Sequence, residues 1–333
     1  MGRSYRRVNG IVVLDKPAGI TSYDVVRWFK GIMPGVKIGY LGTLDPLATG
    51  VLPLLLGEAT KLVPFLESGK KIYDATIHLG IATDTQDREG QVLQSTDIAD
   101  YDLSPQHIES VLQHFRGRIM QRPPMYSALK KNGEPLYKLA RRGEEAERSL
   151  REVEIYGLRV TEIAPPVLHL HIECSKGTYI RTVAHDIGEE LGCGAHLAEL
   201  RRLQSGPFVL ENALSMDDIE GVAQQGKLKK LIIPLSQAVG FLPAVELGEA
   251  DALQVRNGQA IRLEGGHPRA EENGTVVRVV VRKGGGLVAV GGIERIQGDL
   301  VLRPLRVFHD AVFTKSPAYG RDTVHKMAGQ GGR

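Results

Sequence analysis

Cysteine is scarce in this chain of 333 residues, which has two cysteines, and aromatic side chains make up only 5% of it. So few cysteines cannot form the disulfide framework of a small secreted protein, and they are typical of a reducing compartment. Long hydrophobic runs are missing too: stretches such as Val51 to Leu56 fall far short of the ~20 residues that span a bilayer. Ile11 to Leu14, after the basic N-terminus, are too few for a secretory signal. We therefore expect a cytoplasmic protein with no membrane segment.

Composition predicts a folded protein with an uneven distribution of charge. Hydrophobic residues make up 42% of the chain, and the length has room for one large domain and a small one. The net charge is only +3, yet residues 116–151 hold ten Lys or Arg against four Glu, a net charge of +6. This local excess suits a phosphate backbone, although a solvated helical surface explains it equally well.

Hydrophobic periodicity predicts strands alternating with helices over much of the chain. The apolar run 11–14 indicates a short buried strand, and Thr21 and Asp24 after it have the spacing of a capping box that begins a helix. Further predicted elements are helices at 58–66, from Ser104-Pro105 onward and at 180–191, and strands at 71–79 and 168–174.

Two regions depart from this alternation. Residues 116–151 have no sustained period, and we interpret them as a long insertion, which in a compact domain is usually functional or mobile. After about residue 240, turn signals containing glycine alternate with β-branched runs such as Thr275 to Val281. That spacing is typical of a small β-barrel or sandwich.

One carboxylate stands out in the glycine-punctuated segment 39–62. Asp45 lies between Gly42 and Gly50 and directly before Pro46, which disfavours helical geometry at the aspartate. Because glycines let a ligand or another backbone approach closely, an acid on such a loop suits a nucleophile or a base. On spacing alone, an ordinary turn aspartate explains the pattern as well and is the commoner case.

The same segment carries a resemblance to a known family. GTLDPLATGVLP, residues 42–53, resembles the catalytic motif of the TruB family of pseudouridine synthases. Similar segments follow the family's order over about residues 9–210: GIVVLDKPAGITSYDVV, GKKIYDATIHLGIATDTQD, QRPPMYSALKKNGEPLYKLARRG, CSKGTYIRTVAHDIGEELG and HLAELRRLQSGPF. The last part, from NGQAIRL to VGGIERIQGDLVLRPLRVF, is similar to a PUA-type RNA-binding barrel.

The resemblance implies an α+β fold, the pseudouridine synthase fold, with a mixed, mainly antiparallel central sheet. It places the catalytic domain at residues 1–240, with a thumb loop inserted at about 117–150. It also implies a PUA-like RNA-binding β-barrel at 241–312, and we expect a disordered tail at 313–333.

The resemblance also assigns roles to individual side chains. By position, Asp45 is the catalytic aspartate, and Tyr73 lies against the target base, where it can take part in proton transfer. Arg181 is expected to pair with Asp45 and keep it ionised, because a nearby guanidinium lowers the pKa of a carboxyl group. Tyr179 and Leu200 are expected to line the uridine pocket. Without the resemblance, Tyr73 would be an ordinary core or edge tyrosine and Arg181 a surface residue.

The implied reaction converts uridine to pseudouridine in the T loop of tRNA, at the position conventionally numbered 55. A stacked base cannot be reached in place, so the uridine must be flipped out. Since the isomerisation is redox neutral and transfers no outside group, we expect no cofactor and no metal. The expected partner is the T arm of tRNA, bound by a monomer without guide RNA, and the side chains implied to contact phosphates are Lys16, Lys130, Arg141 and Arg142.

Two other functions fit parts of the sequence. A dyskerin-like synthase of the same superfamily depends on a guide RNA, but such enzymes lack the thumb that residues 125–137 resemble here. A non-catalytic tRNA-binding or tRNA-folding protein could keep the fold, but the joint presence of Asp45, Tyr73 and Arg181 favours an enzyme.

The chain departs from the family pattern at Tyr40. The usual Gly-His-Thr-Gly before the catalytic aspartate is Gly39-Tyr40-Leu41-Gly42 here. The family histidine is associated with the flipped-out arrangement of the T loop, and a tyrosine can also stack and donate a hydrogen bond. We hypothesise that Tyr40 stacks within the rearranged loop and supports the extruded uridine.

This hypothesis predicts different effects of two substitutions at position 40. Tyr40→Phe should retain most pseudouridine formation, whereas Tyr40→Ala should lose roughly ten- to hundredfold, because base–aromatic stacking is worth about 1–3 kcal/mol. Initial rates on folded, unmodified tRNA measure both effects. The loss should shrink on an RNA whose target uridine is already unstacked. Equal rates for Tyr40→Ala and the unsubstituted protein would show that the side chain has no role in base flipping.

Overall fold

The computed structural model describes residues 8–263, 273–282 and 284–309 of the chain. The tail expected at 313–333 lies outside these residues. Within the described ranges, no helix is both long enough and apolar enough to cross a bilayer.

Strands and helices alternate along the chain in the order that follows. The strands are β1 (Gly10–Lys16), β2 (Ile38–Tyr40), β3 (Thr49–Leu56), β4 (Lys71–Leu79), β5 (Ile81–Thr83), β6 (Val92–Ser95), β7 (Gly117–Gln121), β8 (Lys130–Lys131), β9 (Glu134–Pro135), β10 (Arg151–Ala164), β11 (Val167–Cys174), β12 (Ala195–Ser205), β13 (Phe208–Val209), β14 (Ala244–Leu247), β15 (Ile261–Arg262), β16 (Val276–Val281), β17 (Leu287–Ile296) and β18 (Asp299–Val307). The α-helices are α1 (Ser22–Ile32), α2 (Val63–Leu66), α3 (Pro105–Gln113), α4 (Leu136–Arg141), α5 (Ile180–Glu190), α6 (Met216–Gln224), α7 (Leu235–Ala238) and α8 (Glu249–Arg256). Short 3₁₀ helices cover Gly57–Leu62, Leu210–Asn212 and Leu228–Leu231.

A nine-stranded mixed sheet forms the centre of the molecule. Its strand order is β1-β3-β12-β4-β11-β10-β7, with β2 paired to β3 and β13 paired to β12. All of these pairs are antiparallel except β12 with β3, where Arg201 and Arg202 lie beside Thr49 and Gly50 in parallel register. The expected α+β fold with a mixed, mainly antiparallel sheet is confirmed.

The two faces of the sheet differ because its strands alternate in polarity. On β4, Tyr73, Ala75 and Ile77 are buried, while Asp74 between them is exposed. The apolar face packs in the same core as Val183 and Ile187 of α5, and α3 and α1 contribute to that core as well. Alternation of this kind is expected where one face of an antiparallel sheet meets a hydrophobic core and the other meets water.

The predicted helices begin where their capping residues indicate, with one exception. Thr21 caps α1 through the capping box with Asp24, as predicted. The helix predicted at 58–66 is instead a 3₁₀ helix followed by the single turn α2. Pro64 accounts for the break, since proline removes a hydrogen bond inside a helix but is tolerated in the first turn.

The insertion joins two neighbouring strands, because β7 and β10 pair directly, with Gln121 opposite Arg151. Between them the chain forms the β8–β9 hairpin and α4. The long segment without a sustained hydrophobic period is therefore a folded extension at the edge of the sheet.

A second, five-stranded sheet covers the opposite side of β1 and β3. Its order is β14-β16-β17-β18-β15, and residues 264–272, between β15 and β16, lie outside the described part. Val290 and Phe308 of this region share a core cluster with Ile11 and Val13. Lys61 Nζ also donates to the Val307 carbonyl at 3.0 Å. The two sheets are thus joined by a common apolar core.

Candidate active site

The loop that carries Asp45 runs between β2 and β3 and is held by contacts with buried polar groups. The backbone amide of Leu44 donates to Ser22 Oγ at 2.9 Å, and the same hydroxyl donates to the Leu44 carbonyl at 3.0 Å. Ala48 N–H donates to the Asp45 carbonyl at 3.1 Å, which closes a turn over Pro46. These contacts fix the backbone on both sides of the carboxylate.

Arg181 lies between two carboxylates. Its Nε is 2.9 Å from Asp45 Oδ2, an ion-pair distance outside hydrogen-bonding angles, and Nη2 donates to Asp45 Oδ1 at 3.4 Å. Nη1 is 3.3 Å from Asp87 Oδ2. The side chains of Arg181 and Asp87 are 5% and 6% exposed, whereas that of Asp45 is 35% exposed. The ion cluster is therefore buried except at Asp45, whose side chain is partly exposed.

The remaining donors of Arg181 hold backbone from distant segments. Nη1 donates to the Thr85 carbonyl at 3.0 Å and Nη2 to the Tyr126 carbonyl at 2.8 Å. Thr85 follows β5, Tyr126 belongs to the insertion, and Arg181 is in the first turn of α5. One guanidinium thus ties the insertion to the loop that carries Asp45.

The carboxyl group of Asp45 has a raised pKa. Burial is the largest cause and the charge of Asp87 adds to it, while the Arg181 guanidinium and Lys16 act in the opposite direction. Arg181 thus lowers the pKa of Asp45, as expected, although burial raises it by more. Desolvation of the carboxylate outweighs the stabilisation by its cationic neighbours.

Tyr73 lies on the buried face of β4, close enough to Asp45 for the two groups to interact electrostatically. Its residue exposure is 6%. Burial raises the pKa of the phenol to about 12, and the Asp45 charge contributes to the rise. The hydroxyl is therefore protonated at neutral pH and is available as a hydrogen-bond donor.

Tyr179 and Leu200 lie beside this cluster. Tyr179 immediately precedes α5, and its backbone is fixed by two hydrogen bonds with Gln121 at 2.8 and 3.0 Å. Burial raises the pKa of its phenol. Leu200 is 8% exposed and belongs to the same core cluster as Tyr73. The role of both side chains in lining a uridine pocket stays a prediction.

Lys16 was expected to contact a phosphate, but in the structure its ammonium group binds backbone carbonyls. It is fully buried, and its Nζ donates to the carbonyls of Ile20 at 2.7 Å, Pro17 at 2.8 Å and Pro46 at 3.3 Å. Burial lowers its pKa to about 8. In this position Lys16 supports the backbone next to Asp45, and a phosphate contact would require it to leave three hydrogen bonds.

The three expected phosphate contacts in the insertion are exposed but not equivalent. Lys130 is on the β8–β9 hairpin, and Arg141, in the last turn of α4, stacks over the Tyr137 ring at 5.6 Å. Arg142 pairs with Glu134 at 2.7 Å and Glu144 at 2.6 Å. Its charge is therefore largely balanced within the insertion, whereas Lys130 is presented to solvent.

Tyr40 is half-buried at the end of β2, opposite Leu54 of β3. It packs partly against the main core, and the loop to Asp45 begins directly after it. A stacking role in a bound T loop stays a prediction.

Sequence reasoning missed two charged residues of this region, Asp87 and Arg202. Asp87 is 4% exposed as a whole residue, and its Oδ1 accepts hydrogen bonds from Thr85 Oγ1 and Glu89 N. Arg202 is fully buried in β12. Both lie inside segments that carry the family resemblance, which was the available signal.

Clusters of three or more potential metal ligands do not occur in the part of the chain that the structure describes. His169 and His171 face the side of β11 opposite to the buried Cys174, as strand alternation predicts.

Comparisons with known proteins agree with this geometry. A family model described as the N-terminal domain of TruB family pseudouridylate synthase matches residues 30–180. A model described as the tRNA pseudouridylate synthase B C-terminal domain matches residues 181–240. A protein of Geobacter sulfurreducens named tRNA pseudouridine synthase B is 49% identical over 251 residues, 75% of this chain and 82% of the relative. A protein of the same name from Ralstonia nicotianae is 42% identical over 308 residues, 91% of this chain and 95% of the relative.

Similar solved structures come from RNA–protein complexes. A chain of an H/ACA RNP bound to a substrate RNA containing 2′-deoxyuridine is 28% identical, with a TM-score of 0.69 over 92% of this chain and 87% of that one. A chain of a Cbf5-Nop10-Gar1 complex is 31% identical, with a TM-score of 0.69 over 90% and 85% of the two chains.

Because Asp45 and Asp87 share the Arg181 guanidinium, Asp87→Asn should change how activity depends on pH. The Asp87 charge raises the pKa of Asp45, so its removal should lower that pKa. If the carboxylate is the reactive form, the acidic limb of kcat/KM against pH should move to lower pH, since this profile reports the free enzyme. Pseudouridine formation on unmodified tRNA across the acidic range measures the shift. A limb that stays in place or moves to higher pH would contradict the coupling.

Proposed function

The chain belongs to the TruB family of pseudouridylate synthases, and from this membership we propose that it converts uridine to pseudouridine in tRNA without a guide RNA. The observation that carries the proposal is the ion cluster of Asp45, Arg181 and Asp87, in which only the Asp45 side chain is partly exposed. A partly exposed carboxylate, fixed in place by a buried guanidinium, suits a nucleophile or a base.

The reaction needs an ionised and positioned Asp45. The C1′–N1 bond breaks, the uracil turns, and C5 is joined to C1′. The proton of C5 is lost and N1 gains one, so the product is an isomer. Asp45 acts either by attack on C1′ or by removal of a ribose proton, and both steps use the carboxylate. Arg181 holds that carboxylate, while Tyr73 and Tyr179 supply aromatic surface and hydroxyl groups beside the base.

The proposed target is the uridine at position 55 in the T arm. A base in a folded loop must be extruded to reach Asp45, at a cost of a few kcal/mol. The insertion and the C-terminal sheet supply surface for binding that offsets this cost. The C-terminal sheet acts in this proposal as a PUA-like RNA-binding unit, and the protein as a cytoplasmic monomer.

Independence from a guide RNA is supported by two observations. The insertion between β7 and β10 is present and folded, with its hairpin and α4. The curated relatives named tRNA pseudouridine synthase B are 41–49% identical, whereas the similar chains from guide-type complexes are 27–31% identical. The dyskerin-like alternative is therefore not favoured.

The direct test uses purified protein and unmodified tRNA made by transcription, with no other RNA added. We expect pseudouridine at position 55 and at no other uridine. Formation only after a guide RNA is added would support the dyskerin-like alternative. Tight binding with no pseudouridine would support a tRNA-binding or tRNA-folding protein.

Asp45→Asn should separate catalysis from binding. The amide keeps the size of the side chain but cannot act as a carboxylate, so pseudouridine formation should fall below detection. Affinity for tRNA should stay near normal, because phosphate contacts dominate it. The rate is measured under single turnover and the affinity by filter binding. Substantial turnover by this variant would remove Asp45 from the mechanism.

The insertion should contribute to the salt dependence of tRNA binding. Lys130→Gln and Arg141→Gln should each flatten the slope of log K against log salt by about 0.7–0.9 per lost phosphate contact. Arg142→Gln should have a smaller effect, because Glu134 and Glu144 already balance its charge. Lys230→Gln, at an exposed lysine outside the insertion, is the matched control. Unchanged slopes at Lys130 and Arg141 would show that these charges merely solvate the surface.

A further inference from the structure

The centre of the sheet contains a second buried guanidinium, that of Arg202. The residue is 0% exposed on β12, between β3 and β4. Among the described residues, its charge is stabilised by Tyr73 and not by any carboxylate. A buried charge without an ionic partner is unfavourable, and an apolar side chain of similar size would be more stable there. Its presence therefore calls for a role other than stability.

Arg202 holds both ends of the catalytic loop. Its Nε donates to the Val51 carbonyl at 2.7 Å, and its Nη2 donates to the Gly42 carbonyl at 2.9 Å and the Leu41 carbonyl at 3.5 Å. Leu41 and Gly42 precede Asp45, and Val51 follows it on β3. The guanidinium thus bridges the segment that enters the loop and the segment that leaves it, and it fixes the distance between them.

The contact between strands is too close for the loop to shift independently of Arg202. A Cβ added at Gly50 would lie 2.2 Å from the Arg202 carbonyl oxygen, and Gly50 has a φ of +103°. The backbone of β3 therefore rests directly on that of β12. This contact is made by the Arg202 backbone, so the chain that follows Asp45 lies directly against the residue whose side chain holds both ends of the loop.

The same side chain faces Tyr73. Tyr73 and Arg202 are direct partners in the antiparallel pairing of β4 with β12, and both are buried on the same face of the sheet. Nη1, the guanidinium nitrogen that no carbonyl engages, has no hydrogen bond of good geometry among the described residues. The phenol is its electrostatic neighbour, since the guanidinium opposes the rise in the pKa of Tyr73.

A guanidinium can only donate hydrogen bonds, whereas a phenol can donate one and accept others. An Arg202 N–H directed at the Tyr73 oxygen therefore occupies a lone pair and leaves the phenolic hydrogen to point elsewhere. The carbonyls of Leu41, Gly42 and Val51 are already engaged by Arg202. Arg202 therefore does not compete for the phenolic hydrogen, which Tyr73 can donate to another acceptor.

We propose that Arg202 is a positioning residue, which fixes the Asp45 loop at both ends and orients the Tyr73 hydroxyl toward the uracil. The inference rests on the proposed pseudouridine synthesis. Because Arg202 is fully buried, it touches no RNA, and it acts on the chemical step rather than on tRNA affinity. It also acts through Tyr73, so the effects of substitutions at the two positions are coupled.

The experiment compares single-turnover rates and tRNA dissociation constants of the full chain. Arg202→Met should slow pseudouridine formation by at least about tenfold, with the dissociation constant unchanged within about twofold. Arg202→Lys should recover part of the rate, because one ammonium cannot engage three carbonyls and a phenol. Arg201→Met is the matched control: this neighbour on the opposite face of β12 pairs with Asp15 and should keep the normal rate.

A double-substitution cycle tests the link to Tyr73. Arg202→Met should cost about tenfold less in the Tyr73→Phe background than in the unsubstituted protein, because there is no hydroxyl left to orient. The same cost in both backgrounds would overturn the link, and a normal rate for Arg202→Met would overturn the proposal as a whole. A weakened tRNA affinity at an unchanged maximal rate would overturn it as well.

Thermal melting separates these outcomes from a failure to fold. If Arg202→Met does not melt cooperatively, the double-substitution cycle is measured with Arg202→Lys and Tyr73→Phe instead. If the unsubstituted protein forms no pseudouridine in tRNA, the proposed function fails, and this result is distinct from an active protein that is indifferent to Arg202.

Discussion

The architecture of the site depends on one interaction, the placement of the Arg181 guanidinium between Asp45 and Asp87. The cation is buried, as is one of its two anions, so each group would be costly in the interior without the others. The contacts of Arg181 with the backbone at Thr85 and Tyr126 extend this constraint to two further segments. One side chain, that of Arg181, therefore holds three segments in place: the insertion, α5 and the loop that carries Asp45.

Near this cluster, two buried positions hold cationic side chains, although apolar side chains would make the core more stable there. Lys16 and Arg202 are both fully buried, and both donate to backbone carbonyls of the segments that flank Asp45. Each contact fixes a loop that has little regular structure of its own. The loop gains a defined shape, and the sheet beneath it loses stability that apolar residues would supply. Exchanges of this kind, in which polar groups replace a better-packed core, are characteristic of functional sites.

Local patterns in the sequence predicted those parts of the fold that local physics determines. The capping box at Thr21 and the alternation of β4 and β11 needed no tertiary information. β12 was not predicted, because HLAELRRL is rich in good helix formers and becomes a strand only through pairing between β3 and β4. The same limit applied to the site: Asp45 was identified through a family motif, whereas the pairing of Asp87 and the raised pKa of Asp45 depend on burial that no pattern displays.

The core shared by the two sheets has a consequence for how the protein is made. Ile11 and Val13 of the first strand pack in one cluster with Phe308, close to the last described residue, and Leu41 beside the catalytic loop belongs to that cluster. A ribosome releases these positions in sequence, so part of the apolar surface beside β1 stays uncovered until the C-terminal sheet has emerged. Exposed apolar surface of this kind is what chaperones recognise and what drives aggregation of nascent proteins. The C-terminal sheet therefore closes over the oldest strand late in synthesis.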